Sequence, residues 1–181
     1  NKLFFWLKDI DIRVPAYAVL GNHELRCFKK YPSFKNEFFE AMQKLNIKIL
    51  SDKVIILDGE NGQSAENNAC TVALVGLKNF KAGSLIDNSI FSGLKDKHKC
   101  VVAFSHGPDI SLKIPENSVD ILIVGHLHGG QIWLPFNLEY LLLRKDCVSR
   151  MGYYKGFATI RNNKVYISRG LGTVLFPFRF L

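Results

Sequence analysis

The chain predicts an α/β fold, on three observations. Short apolar runs end abruptly in glycine-punctuated polar strings, amphipathic stretches with helical spacing lie between them, and this alternation extends through most of the sequence. Strands mixed with two or three helices in this way pack as layers of sheet and helix. With 181 residues, 48% of them hydrophobic and 22% charged, the chain suits one domain, residues 1–181, with a sizeable core.

Residues 3–9 carry apolar side chains at helical spacing, and Arg13-Val14-Pro15 breaks that pattern before a strand at 16–20. Ser33 is the expected cap of a helix through Phe34, Phe38, Phe39, Met42 and Leu45, with Glu37 and Glu40 on its wet side. Short strands follow at 47–50 and 54–57, then a polar loop from 58 to 68 with no apolar anchor. A strand at 71–77, a helical stretch at 84–94 and strands at 100–104 and 121–124 come next. Near the end, strands at 157–160 and 165–168 flank Asn162-Asn163, a two-residue hairpin signal.

Lysine and arginine outnumber aspartate and glutamate by 24 to 16, a net charge of +8 that suits a phosphate ester, an anionic membrane surface or nucleic acid. The basic residues are spread along the chain, so an ordinary solvated surface accounts for them equally. Cys27, Cys70, Cys100 and Cys147 are far apart and never spaced as C-x-x-C, which argues against a disulfide frame or a thiolate metal site. No apolar run approaches the roughly 20 residues that cross a bilayer.

Three strings carry the chemistry. The run 16–20 enters Gly21-Asn22-His23-Glu24, the run 101–104 enters Ser105-His106-Gly107, and the run 119–124 enters Gly125-His126-Leu127-His128. Each places polar residues at the carboxyl end of an apolar strand, where α/β sheets hold their sites. In an extended segment the side chains of His126 and His128 point to one side and reach one metal, or one each of two neighbouring metals. Asparagine and neutral histidine supply oxygen and nitrogen donors, a set suited to Mn, Zn, Fe or Co.

In order and context these strings resemble the last three of the five motifs of the calcineurin-like metallophosphoesterases. The extension Gly129-Gly130-Gln131-Ile132 and the tail from Ile167 to Thr173 are similar to the membrane-associated bacterial branch, which includes envelope phosphodiesterases and UDP-2,3-diacylglucosamine pyrophosphatases. The resemblance implies a four-layer α/β/β/α sandwich and two divalent metal ions about 3.5–4 Å apart sharing a hydroxide. It makes Asn22, His106 and His126 ligands of one metal and His128 a ligand of the other. His23 becomes the catalytic residue that stabilises or protonates the leaving oxygen, and Glu24 either orients His23 or starts a helix.

The family's first two motifs, Asp-x-His and a Gly-Asp run, are absent, and Asp9 and Asp11 do not replace them. The retained ligands are all neutral, so this chain alone is expected to hold a second metal poorly. The expectation is a domain incomplete at its N-terminus, and a fragment inactive by itself. Its substrate would be a phosphorylated small molecule or lipid, an envelope-linked nucleotide ahead of nucleic acid, at a membrane or cell-envelope location, with the cytoplasm as the alternative. A cyclic-nucleotide or nucleic-acid phosphodiesterase and a catalytically dead interaction module are the rival readings.

Several side chains keep two readings. Arg169 and Arg179 are phosphate contacts or structural ion pairs, and Asp109 orients His106 or closes a turn after Pro108. His98 reads as a solvated loop residue. The stretch 133–154 mixes aromatics with Arg144, Lys145 and Arg150, as either a lipid-facing surface or a buried flap.

Overall fold

In the computed structural model, the described residues are 14–57, 71–79, 85–129 and 146–172. The expected helix at 3–9, the loop at 58–68, Cys70, residues 130–145, Thr173 and Arg179 lie outside them.

The first unit is small. Strand β1 (Ala16–Val19) pairs in parallel with β2 (Ile47–Leu50), and two helices, α1 (Asn22–Lys30) and α2 (Pro32–Lys44), join them. Parallel neighbours need such a crossover, and the helices cover the pair with their apolar stripe. Phe28 of α1 and Phe38 and Met42 of α2 are buried against Phe34, Phe39, Leu45, Ile47 and Ile49. The Phe28 and Phe38 rings meet edge to face, 5.3 Å between centroids, the favoured geometry for aromatic pairs. Ser33 does not cap α2. Pro32 holds the first helical position, where its missing N–H costs nothing, and Tyr31 stands at the cap.

The second unit is a six-stranded sheet in the order β3-β4-β5-β6-β8-β7. Its strands are β3 (Lys53–Leu57), β4 (Val72–Gly76), β5 (Cys100–Phe104), β6 (Ile121–Val124), β7 (Gly156–Ile160) and β8 (Asn163–Ile167). The four inner strands run parallel, and β3 and β7 close the edges antiparallel. Alternate residues of the inner strands, Ala73, Val75, Val101, Ala103, Leu122, Val124, Val165 and Ile167, form the main core. The chain is therefore α/β, with sheets flanked by helices.

Gly76 and Leu50 lie where these units touch. A β-carbon added at Gly76 would overlap Leu50 Cβ and come within 2.9 Å of Leu50 Cδ1, so only glycine admits this buried leucine.

Two expected elements differ in detail. The helical stretch at 84–94 is, among its described residues, a 3-10 turn (Asn88–Phe91), and the one-turn helix α3 (Leu94–Lys97) follows it. The hairpin turn falls one residue early, on Arg161 and Asn162, both left-handed with φ of 50° and 58° as a tight primed turn requires. Asn163 is instead the first residue of β8, fully buried. Its Oδ1 accepts from the Ser118 and Val119 amides at 2.9 and 3.1 Å, and its Nδ2 donates to the Pro115 carbonyl at 2.9 Å. His98 is half-buried rather than solvated, with Nδ1 2.8 Å from Thr71 Oγ1. No helix among the described residues is long and apolar enough to cross a membrane.

Candidate metal centre

Three polar side chains converge beyond the carboxyl ends of β1, β5 and β6. Asn22 Oδ1 lies 2.7 Å from His106 Nε2, and His126 Nδ1 lies 3.0 Å from the same nitrogen. Asn22 opens α1 after β1, His106 follows β5, and His126 follows β6, so the cluster draws on both sheets.

Local structure aims each group. Gly21 caps α1, and its N–H donates to Glu24 Oε2 at 2.9 Å, one arm of a capping box. A β-carbon at Gly21 would lie 2.9 Å from both Glu24 Oε2 and His106 Nδ1, so the glycine lets the imidazole pass close to the helix start. The loops after β5 and β6 are tied together, the Ser105 amide donating to the Ile123 carbonyl at 3.0 Å and the Gly125 amide to the His106 carbonyl at 3.1 Å.

His126 and His128 are not in extended backbone. Both are left-handed, with φ of 70° and 55°, so the i, i+2 argument from a strand does not apply to them. The chain turns here, and Leu127 between them is buried in the main core. Left-handed backbone is uncommon for residues other than glycine, and such conformations concentrate at functional sites.

Burial lowers the pKa of His106 from 6.5 to about 4, and the neighbouring charge of His126 pushes the same way, while Glu24 opposes them. The ring is thus neutral near pH 7, as a metal ligand must be. Nε2 of His106 has two polar neighbours within hydrogen-bond distance, Asn22 Oδ1 and His126 Nδ1, and the single hydrogen or lone pair on that nitrogen serves only one of them with good geometry. A cation would use all three lone pairs. Two donors at right angles on an ion with bonds of about 2.1 Å stand about 3 Å apart, close to the observed spacings. The donor set fits a divalent transition metal. Among the described residues, no three His, Cys, Asp or Glu side chains form such a group, and the converging set is two imidazoles and an amide.

His128 stands beside this trio, its Nδ1–H donating to the Gly172 carbonyl at 3.2 Å. That bond leaves the lone pair of the neutral ring on Nε2. His23 is exposed in the first turn of α1, near enough for its charge to act on His106. Glu24 serves the helix start through its bond to Gly21.

Asp109 sits in the 3-10 turn that starts at Pro108, as its turn reading expected, and its carboxylate does something neither reading foresaw. Its two oxygens accept from the Cys147 and Val148 amides, each at 2.9 Å, and so begin helix α4 (Cys147–Arg150). Asp146, the cap residue of α4, brings Oδ1 to 3.7 Å from His126 Nε2. The sequence reading missed Asp146, since nothing in its neighbourhood marks a contact with His126.

A family model described as Calcineurin-like phosphoesterase matches residues 1–130. Uncharacterized metallophosphoesterase YkoQ of Bacillus subtilis (strain 168) is 28% identical over 174 residues, 94% of this chain and 59% of that protein. Uncharacterized metallophosphoesterase YkuE of the same organism is 38% identical over 76 residues, 42% of this chain and 25% of that protein. Phosphodiesterase YaeI of Escherichia coli (strain K12) is 22% identical over 161 residues, 88% of this chain and 52% of that protein. The chain spans about half the length of the relatives it matches along most of its own. No solved structure matches. With three ordered motifs meeting beyond the strand ends and a family model matched over residues 1–130, the chain belongs to the calcineurin-like phosphoesterase family.

Proposed function

We propose that the whole protein is a metal-dependent phosphoesterase that hydrolyses a phosphodiester or pyrophosphate bond of an envelope or lipid-linked nucleotide. The convergence of Asn22 Oδ1, His106 Nε2 and His126 Nδ1 is the observation that carries this reading. These three would hold one divalent ion, and His128 would serve a second through Nε2. Metals bound there supply Lewis acidity toward phosphoryl oxygens and lower the pKa of a water nucleophile.

The chain's own residues do the rest. His106 stays neutral because it is buried, so its lone pair is available at working pH. His23, exposed at the start of α1, hands a proton to the departing oxygen. The Glu24–Gly21 bond fixes the helix start from which Asn22 and His23 project. The net charge of +8 favours an anionic substrate, and an anionic membrane surface as the place of work.

The test compares hydrolysis of a lipid-linked nucleotide pyrophosphate, bis-p-nitrophenyl phosphate and DNA by the full-length protein with added manganese. Cleavage of the pyrophosphate that His106→Ala reduces at least about a hundredfold is the expected result, since losing a ligand should cost no less than the roughly 10–100-fold that losing a ligand's outer-shell partner costs. Cleavage of DNA alone rejects the envelope substrate, and cleavage of none rejects the enzyme. His23→Ala is expected to lower kcat about a hundred- to ten-thousandfold on the natural substrate. The loss should be much smaller on p-nitrophenyl esters, whose leaving group departs without a proton.

A further inference from the structure

We infer that Asp146 is a positioning residue for the metal centre: its carboxylate holds His126 in the tautomer that turns the Nδ1 lone pair toward His106 and Asn22. The inference rests on the metal-dependent reading above.

The two ring nitrogens of His126 face different neighbours. Nδ1 is 3.0 Å from His106 Nε2, and Nε2 is 3.7 Å from Asp146 Oδ1. Asp146 therefore stands on the opposite side of the ring from the converging donors, and acts through the imidazole rather than beside it. At 3.7 Å the contact is longer than a hydrogen bond and acts electrostatically. A negative carboxylate facing Nε2 favours the ring form that carries its hydrogen there over the one that turns a lone pair toward it. In the neutral ring the favoured form leaves the lone pair on Nδ1, the nitrogen that joins the cluster. A carboxylate behind a ligating histidine also raises the basicity of the ligand. Here the three converging donors carry no formal charge of their own, so a negative charge across the ring matters more. Both partners are largely shielded, the side chains of His126 and Asp146 being 24% and 19% exposed, which limits the weakening of their interaction by water.

The placement of Asp146 is built rather than incidental. Asp109 receives the two first amides of α4, and Ser149 Oγ donates back to the Asp146 carbonyl at 2.9 Å. Val148, between them, is fully buried. Asp109 lies three residues beyond His106 in the 3-10 turn Pro108–Leu112. The loop that carries one histidine of the cluster thus also anchors the helix whose first carboxylate faces the other.

The test uses the full-length protein and the variants Asp146→Asn and Asp146→Glu. Nitrogen chemical shifts of the histidine rings, recorded without metal, report the tautomer, and calorimetric titration with manganese reports affinity. In the wild type, His126 is expected to carry its hydrogen on Nε2. In Asp146→Asn it should become a mixture of tautomers, and manganese affinity should fall about 10–100-fold with the melting profile kept. Asp146→Glu should recover most of both. A His126 tautomer unchanged in Asp146→Asn, or manganese affinity within twofold of wild type, overturns the inference and leaves the phosphoesterase reading intact. A wild type that binds no manganese defeats that reading. The tautomer shifts then still decide whether Asp146 governs the ring.

Discussion

His106 sets two conditions on its surroundings: it must stay neutral, and the start of α1 must come close to its ring. The first gives a pH dependence. Its pKa is about 4 in the folded chain against 6.5 ordinarily, so the unfolded state binds more protons between those values. Stability from this group is full above pH 6.5, falls as the pH drops toward 4, and levels off below that. Chemical denaturation of metal-free protein across pH 4–7 should show this slope, and His106→Asn should flatten it. The second condition rests on Gly21. A methyl group there meets both Glu24 Oε2 and His106 Nδ1 at 2.9 Å, so Gly21→Ala is expected to cost about 1–3 kcal/mol as overpacking does, and to weaken metal binding too. Thermal melts and titration with manganese check the pair of effects. Asn22, His106 and His126 were legible because each follows an apolar run inside a short string of fixed order. Asp146 was not, because its place depends on a bond from Asp109 that spans 38 residues.

At the scale of elements, apolar periodicity gave most of the fold. The strands at 47–50, 100–104 and 121–124 coincide with those observed, and helix α2 lies where its aromatic stripe requires. Helix α1 was the harder one to see. Its sequence, NHELRCFKK, is mostly polar and buries only Phe28, so it has one apolar anchor rather than a stripe. The hairpin shows another limit: Asn162-Asn163 marks a turn by composition, yet tertiary demand for a buried amide draws Asn163 into the strand. Its Oδ1 caps two backbone amides at once. Asn163→Leu would leave the Ser118 and Val119 N–H groups unsatisfied, at about 1–3 kcal/mol each. Urea unfolding should register that loss, with little change in the metal affinity of the surviving folded protein.

Across the whole molecule, the α/β class followed from alternation alone, whereas the division into a two-stranded and a six-stranded sheet did not. That division depends on which strands find each other, and β1 pairs with β2 across two intervening helices. The sheets meet at Gly76 and Leu50. Gly76→Ala forces a methyl group into a buried leucine, and it should destabilise the protein by about 1–3 kcal/mol or more with no chemical change at the site. Denaturant midpoints measure the loss. Metal binding should act in the opposite direction, since a ligand at a hundredfold excess over its Kd adds about 2.7 kcal/mol to the native state. Melting in manganese and then in chelator tests this.

Asn22 is rooted in the small sheet, and His106 and His126 in the large one. A cation gripped by all three would therefore rivet two separately woven fabrics across their seam. Hydrogen exchange in α1 and β1 should slow in step with that in β5 and β6 when the ion is added, and losing the ion should let the small fabric peel away first.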